Sequence, residues 1–138
     1  MTDARCSCGA LTLELKAPPK VAIACHCLDC QRRTGAPFGV GVFYPADAVI
    51  VSGTATEFIR KAASGGRVFT YFCPVCGSSI YWKAENLPSM IGVAVGALAD
   101  PKYVVPDKSI FERSKHSWVQ IDAAAEHFEY GSAPKSPH

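Results

Sequence analysis

The sequence predicts an all-β domain built from many short strands. Three observations carry this. Apolar residues recur in brief runs, some strictly alternating with polar ones. Eleven glycines and ten prolines punctuate the chain with turns. Helical patterning is confined to two short segments.

The elements follow in order. Leu11–Leu15 alternates apolar and polar residues, as a half-buried strand does. Val21–Ala24 is an apolar run leading into a cysteine cluster. Leu28–Thr34 predicts one short helix, stopped by Gly35 and Pro37. Phe38–Tyr44 reads as a strand in which Gly39 and Gly41 permit close approach of another group. Strands are expected at Val49–Val51, Thr56–Arg60, Arg67–Phe72, Ser79–Trp82, Ile91–Val95 and Ser109–Glu112. Ser64-Gly65-Gly66 reads as a hairpin turn, since no helix follows to make it a phosphate loop. Asp122–His127 fits a second helical turn.

Size and composition bound the function. A chain of 138 residues, 49% hydrophobic and 19% charged, suits one domain with a real core and excludes wholesale disorder. Residues 1–130 read as that domain, and 131–138, polar with two prolines, as a flexible tail. The most apolar stretch, Met90–Leu98, falls short of the about 18 residues a membrane helix needs, so no membrane role is expected. No apolar signal core follows Met1, which points to the cytoplasm. The formal charge is +2, and seven thiolates around two zinc ions would bring it to about −1. Neither value suits a nucleic-acid binder.

The cysteines are more telling. Seven is an odd number, which cannot pair fully within one chain, and it argues against a disulfide framework. They fall in three clusters: Cys6-Ser7-Cys8-Gly9, Cys25-His26-Cys27-Leu28-Asp29-Cys30 and Cys73-Pro74-Val75-Cys76-Gly77. Such spacing points to metal in a reducing compartment. Cys8 and Cys76 are each followed by glycine, the residue that most easily turns backbone N–H groups toward sulfur in a metal knuckle. Cys6, Cys8, Cys73 and Cys76 are therefore assigned to one closed structural zinc.

Cys25, Cys27 and Cys30 remain. They supply three ligands, which leaves a fourth position to water or substrate, as in a working metal site. The bland alternative completes the site with Asp29, His116 or a partner protein. His26, set between two ligands, is expected to point away, toward solvent or an outer shell. Soft thiolate ligands favour a sulfur substrate, so thiol activation is the chemistry expected.

Cys6-x-Cys8-Gly9, Cys25-His26-Cys27-x₂-Cys30-x-Arg32-x₂-Gly35 and Phe72-Cys73-x₂-Cys76-Gly77 together resemble the glutathione-dependent formaldehyde-activating enzyme family, which includes centromere protein V. The resemblance covers Cys6 to about Phe128. It implies a β-tent fold of short antiparallel strands around zinc, and two zinc ions per chain divided four plus three. It also implies a carbon–sulfur lyase that acts on S-(hydroxymethyl)glutathione or another thiol–aldehyde adduct. Arg32 or Arg33 would bind a glutathione carboxylate. Ser117–Ile121, with Trp118, resembles the family's C-terminal strand near the site.

Other residues are weighed against plainer roles. Trp82 and Trp118 suit either a pocket wall or, as large aromatics in a small β domain, the core. His116 shares a strand face with Trp118 if that segment is extended, and otherwise caps or is exposed. Arg60 and Lys61 read as solvated strand-end residues. Two readings compete with the enzyme: a non-catalytic zinc-stabilised binding module of the same fold, and a redox or metal-buffering protein.

Overall fold

The computed structural model describes residues 2–63 and 65–131. They form two sheets. The smaller has the order β1-β2-β5, from Thr2–Arg5, Thr12–Leu15 and Val49–Ser52. The larger contains β3 (Val21–Cys25), β4 (Gly39–Pro45), β6 (Thr56–Lys61), β7 (Arg67–Phe72), β8 (Ser79–Ala84), β9 (Leu87–Ala94), β10 (Lys108–Ile110) and β11 (Glu126–His127). Its order is β11-β10-β3-β4-β9-β8-β7-β6. The family resemblance implied antiparallel pairing, and this holds except at one edge, where β10 runs parallel to both β3 and β11.

The period of two in each strand sorts the large sheet into two faces. One face carries Ala22, Val42, Tyr44, Ile91, Val93 and Tyr81, all buried. It packs on Ala4, Leu11, Leu13 and Leu15 from the small-sheet side. That interface is the core, and Cys6 and Cys73 belong to it.

The opposite face follows from register. Cys25 pairs with Gly39, Ile23 with Gly41, Phe43 with Gly92, Trp82 with both Gly92 and Thr70, and Val68 with Ala84. Residues opposite each other point the same way, so Cys25 shares a face with three glycines. The glycines hollow it out. A Cβ at Gly41 would lie 2.5 Å from the Trp82 ring, and one at Gly92 would collide with the same indole. A Cβ at Gly39 would lie 2.7 Å from an Arg33 guanidinium nitrogen. Close approach at Gly39 and Gly41 was the sequence expectation, and Trp82 and Arg33 are the groups that approach.

Among the described residues the single α-helix, α1, spans Leu28–Thr34 as expected. Cys27 caps it by accepting the Cys30 N–H at its sulfur, 3.3 Å away. Asp29 lies in the first turn and Arg32 and Arg33 in the last, each favoured by the helix dipole. Gly35, at φ 69°, ends it in the left-handed region.

Several expectations are corrected. Ser117–Ile121 is not a strand: Val119 N–H bonds the His116 carbonyl at 3.0 Å and closes a turn. Trp118 is therefore on the surface, 72% exposed, rather than in the core. The strand from Ser109 stops at Ile110, and a 3₁₀ turn takes Glu112–Ser114. Asp122–His127 does open with a turn, closed by Ala124 N–H to the Ile121 carbonyl at 3.2 Å, but runs on into the two-residue β11. The hairpin joining β6 to β7 is present, closed by Ala62 N–H to the Gly66 carbonyl at 2.7 Å, with Ser64 outside the described residues. Of the expected tail only Gly131 is described, and it is buried.

Candidate metal and thiol site

Two sulfur clusters form, divided as the spacing predicted. The Sγ atoms of Cys6, Cys8, Cys73 and Cys76 all lie within 4.8 Å of one another, as do those of Cys25, Cys27 and Cys30. All seven cysteines are free thiols.

The quartet has the geometry a tetrahedral ion requires. A zinc–sulfur bond of about 2.3 Å places tetrahedral sulfurs roughly 3.8 Å apart. Cys8 Sγ is 3.7 Å from both Cys6 Sγ and Cys73 Sγ. Gly9 and Gly77 take positive φ values of 82° and 78°, as the knuckle reading required. Backbone N–H groups then face the sulfurs: Leu11 bonds Cys6 Sγ at 3.3 Å, and Val75 bonds Cys73 Sγ at 3.4 Å. Ser78 joins the two knuckles: its hydroxyl accepts the Ser7 N–H at 3.2 Å and lies 3.1 Å from the Ser7 hydroxyl. Its hydroxyl, at 3.3 Å, is also the main cause that pushes Cys76 down to about 5.

The trio sits where β3 enters α1, half-buried at the hollowed face. Its thiols compete for ionisation, and Cys27 is the one favoured. Bonds from Cys25 and then Cys30 push Cys27 down to about 2 against its burial, helped by the Cys30 N–H and by Arg60. Cys25 is driven far above the ordinary thiol range by its bonds to Cys27 and Cys30. The Cys25 bond lowers Cys30, but Cys27 and burial outweigh it and lift Cys30 to about 11. A dication is the partner that lets three such neighbours ionise together.

Among the described residues no His, Asp or Glu joins the trio. The three candidates have other partners. Asp29 pairs with Arg60 at 3.2 Å. His116 Nε2 donates to Gln31 Oε1 at 2.9 Å. His26 is fully buried, not solvent-facing, with Nε2 2.9 Å from Ser109 Oγ and its ring against Phe38. Desolvation depresses its pKa, so it is held neutral.

Cys25 and Cys30 open into a cavity of about 150 Å³, walled by Ile23, Phe43, Val68, Trp82 and Ile110, with Arg33 and Arg60 at its rim. A groove of about 560 Å³ adjoins it, holding Asp29, Arg32, Arg33 and Arg60.

Residues 1–114 match the family described as glutathione-dependent formaldehyde-activating enzyme. The chain belongs to that family. A crystal structure of a Rhodobacter sphaeroides protein shares the fold, with a TM-score of 0.59 at 22% identity over 73% of this chain and 93% of that one. Among curated proteins the sequence finds no match. Among the described residues no helix is long and apolar enough to cross a membrane.

Within this member of the family the predicted contact residues separate. Arg33 stands beside the trio, its guanidinium 4.4 Å from the centre of the Trp82 ring, and it lines the cavity, the groove and a third recess of about 730 Å³ near Ser7 and Ser78. Arg32 lines the groove alone. Trp118 lines neither; its ring meets the edge of His116, which holds α1 through Gln31. Arg60, read as a solvated strand-end residue, was missed as a site residue and lines the trio cavity; Trp82, left open between pocket wall and core, lines it too. Their signal lay in cross-strand pairing, which puts Arg60 opposite Val68 and Trp82 opposite Gly92.

Proposed function

We propose that this protein is a zinc-dependent carbon–sulfur lyase acting on the adduct of glutathione, or another small thiol, with an aldehyde. The observation that carries the reading is the trio: three clustered thiols, two of which, Cys25 and Cys30, line a cavity together with Arg33 and Arg60, with no fourth side-chain donor among the described residues. Cys6, Cys8, Cys73 and Cys76 would hold one zinc as a structural brace, and Cys25, Cys27 and Cys30 a second, giving two per chain. The second ion supplies a soft position that favours a substrate sulfur as thiolate.

The chain's own residues do the rest. Arg33, half-desolvated against Trp82, meets a substrate carboxylate with a rigid fork of donors. Arg32 and Arg60 extend that cationic edge along the groove. The apolar wall opposite keeps water from the reacting carbon. In the breakdown direction the adduct's C–S bond breaks and sulfur keeps its electron pair. The hydroxyl oxygen becomes the carbonyl and its proton is released. Free thiols of this kind suit a reducing, cytoplasmic setting.

Exchange of glutathione and formaldehyde with their adduct, followed by magnetisation-transfer NMR, tests the reading. Zinc-loaded protein is expected to accelerate exchange, and Cys27→Ser to lose at least a hundredfold of that rate. Metal analysis should return two zinc ions per chain, one removed readily by a chelator and restored. No acceleration with any thiol, together with two equally inert ions, would leave the binding-module reading in its place.

A further inference from the structure

The cavity over the trio does not end at its own wall. It continues into a trough of about 350 Å³, and both are lined by Phe43, Val68, Trp82 and Ile110, with Arg60 between them. Beyond these the trough is walled by Ala84, Leu87, Met90 and Gly92. Register explains the continuity. Phe43, Gly92 and Trp82 lie side by side across β4, β9 and β8, and Ala84 lies beside Val68. Because Gly92 has no side chain, the indole lies down on the sheet and forms a floor common to both compartments.

The two sides of the trio thus differ in chemistry. Toward the helix run the arginines, which suit the carboxylates of a peptide thiol. Toward β9 runs an apolar path whose one charged lining group, Arg60, is held by Asp29 at 3.2 Å. Formaldehyde, with hydrogen as its only substituents, would leave that path empty. The 150 Å³ of the inner cavity alone equals about five water-sized groups at ~30 Å³ each, the bulk of a short carbon chain.

We infer that the site accepts an aldehyde bearing an apolar substituent of roughly four to six carbons or more, which runs from the inner cavity into this trough. The inference rests on the reading of the trio as the reacting centre and names the substrate class for it. The reaction stays balanced: the thiol sulfur bonds the aldehyde carbon, the C=O becomes C–OH, and the thiol proton ends on that oxygen. No other reactant is consumed.

S-alkyl glutathiones mimic such adducts without reacting. Titrating zinc-loaded protein calorimetrically with the S-methyl, S-butyl and S-hexyl forms is expected to show Kd falling about fourfold per methylene until the trough is full. Leu87→Asp and, independently, Met90→Lys should flatten that slope while the β-sheet circular dichroism is retained. Pentanal and glutathione should exchange faster on the protein than formaldehyde and glutathione. Equal affinity along the series, or an undiminished slope in both variants, overturns the apolar arm. If S-methylglutathione binds and formaldehyde exchange is accelerated while chain length has no effect, only this inference fails. If no form binds and no adduct exchanges, the lyase reading fails with it.

Discussion

The quartet and the trio use the same atoms for opposite ends. The quartet draws its ligands from segments far apart in sequence, and Cys6 and Cys73 are buried in the core between the sheets. The trio comes from one turn of chain, on the face of the large sheet that turns away from that core. Knuckle N–H groups and the Ser7–Ser78 clasp close the quartet on itself. A cavity and two arginines stand open beside the trio. Sulfur-rich spacing alone therefore does not separate the two clusters; what surrounds the sulfurs does.

The sharpest way to break the comparison is to remove one sulfur from each side. Cys73→Ser opens the quartet and leaves a hydroxyl buried in the core where the small and large sheets meet. Losing a structural metal belongs with the largest point-mutant effects, about 4 kcal/mol or more. For a chain of this size the melting temperature should fall on the order of 10–20 °C, read by calorimetry, and zinc should drop below two per chain. Cys27→Ser should lower it by only a few degrees. The trio lies outside the buried core, and serine is itself a good helix cap. Equal thermal losses in the two variants would erase the distinction.

Much of this contrast was legible in the sequence, and the exceptions share a cause. Local signals read well. The clusters follow from cysteine spacing, the helix Leu28–Thr34 from its stop at Gly35 and Pro37, and Gly39 and Gly41 from their missing side chains. Residues whose role depends on strand pairing read badly. Arg60 looks like a strand-end cation until β6 pairs with β7 and sets it opposite Val68. Trp82 suits either core or pocket wall until two glycines on neighbouring strands let its ring lie flat. His26 reads as pointing either to solvent or to an outer shell, and only the parallel strand β10, which brings Ser109 behind it, excludes solvent. β1, short and polar, carries only Ala4 into the core and gives no periodic signal of its own. Pairing across many residues is set by tertiary packing, which no short window contains.

A smaller effect sharpens the trio's side. Arg33 stacks on Trp82 and faces Cys25 and Cys30, so Arg33→Ala should weaken carboxylate binding far more than folding. A charged hydrogen bond is worth about 1.5–3 kcal/mol, which predicts a KM for glutathione raised at least tenfold with kcat little changed. Arg33→Lys should recover only part, since ammonium lacks the planar fork. A fall in kcat with KM untouched would instead make Arg33 part of the chemistry.

The smallest predicted effect is one of pH, and it too lies on the trio's side. Glu112 accepts from His127 Nδ1 at 2.8 Å and has Lys115 Nζ at 3.9 Å. Burial alone would raise its pKa, but the bonds from His127 and Ser109 and the charge of Lys115 outweigh burial and hold it below the usual carboxylate value. Because the folded state binds this proton less tightly than the unfolded state, Glu112 contributes its stability in full above the unfolded pKa. That contribution is lost as pH falls through the unfolded and then the folded value. The pair is partly exposed, so the contribution is about 0.5 kcal/mol. Urea melts of the wild type and Glu112→Gln should differ by that amount at pH 7 and converge below about pH 4. Proton competition for the cysteines is common to both proteins, so the difference isolates this carboxylate. Ser109 touches both Glu112 and the buried His26 beside the trio. Divergence on acidification, rather than convergence, would mean that Glu112 is protonated already at neutral pH and holds that corner as a donor.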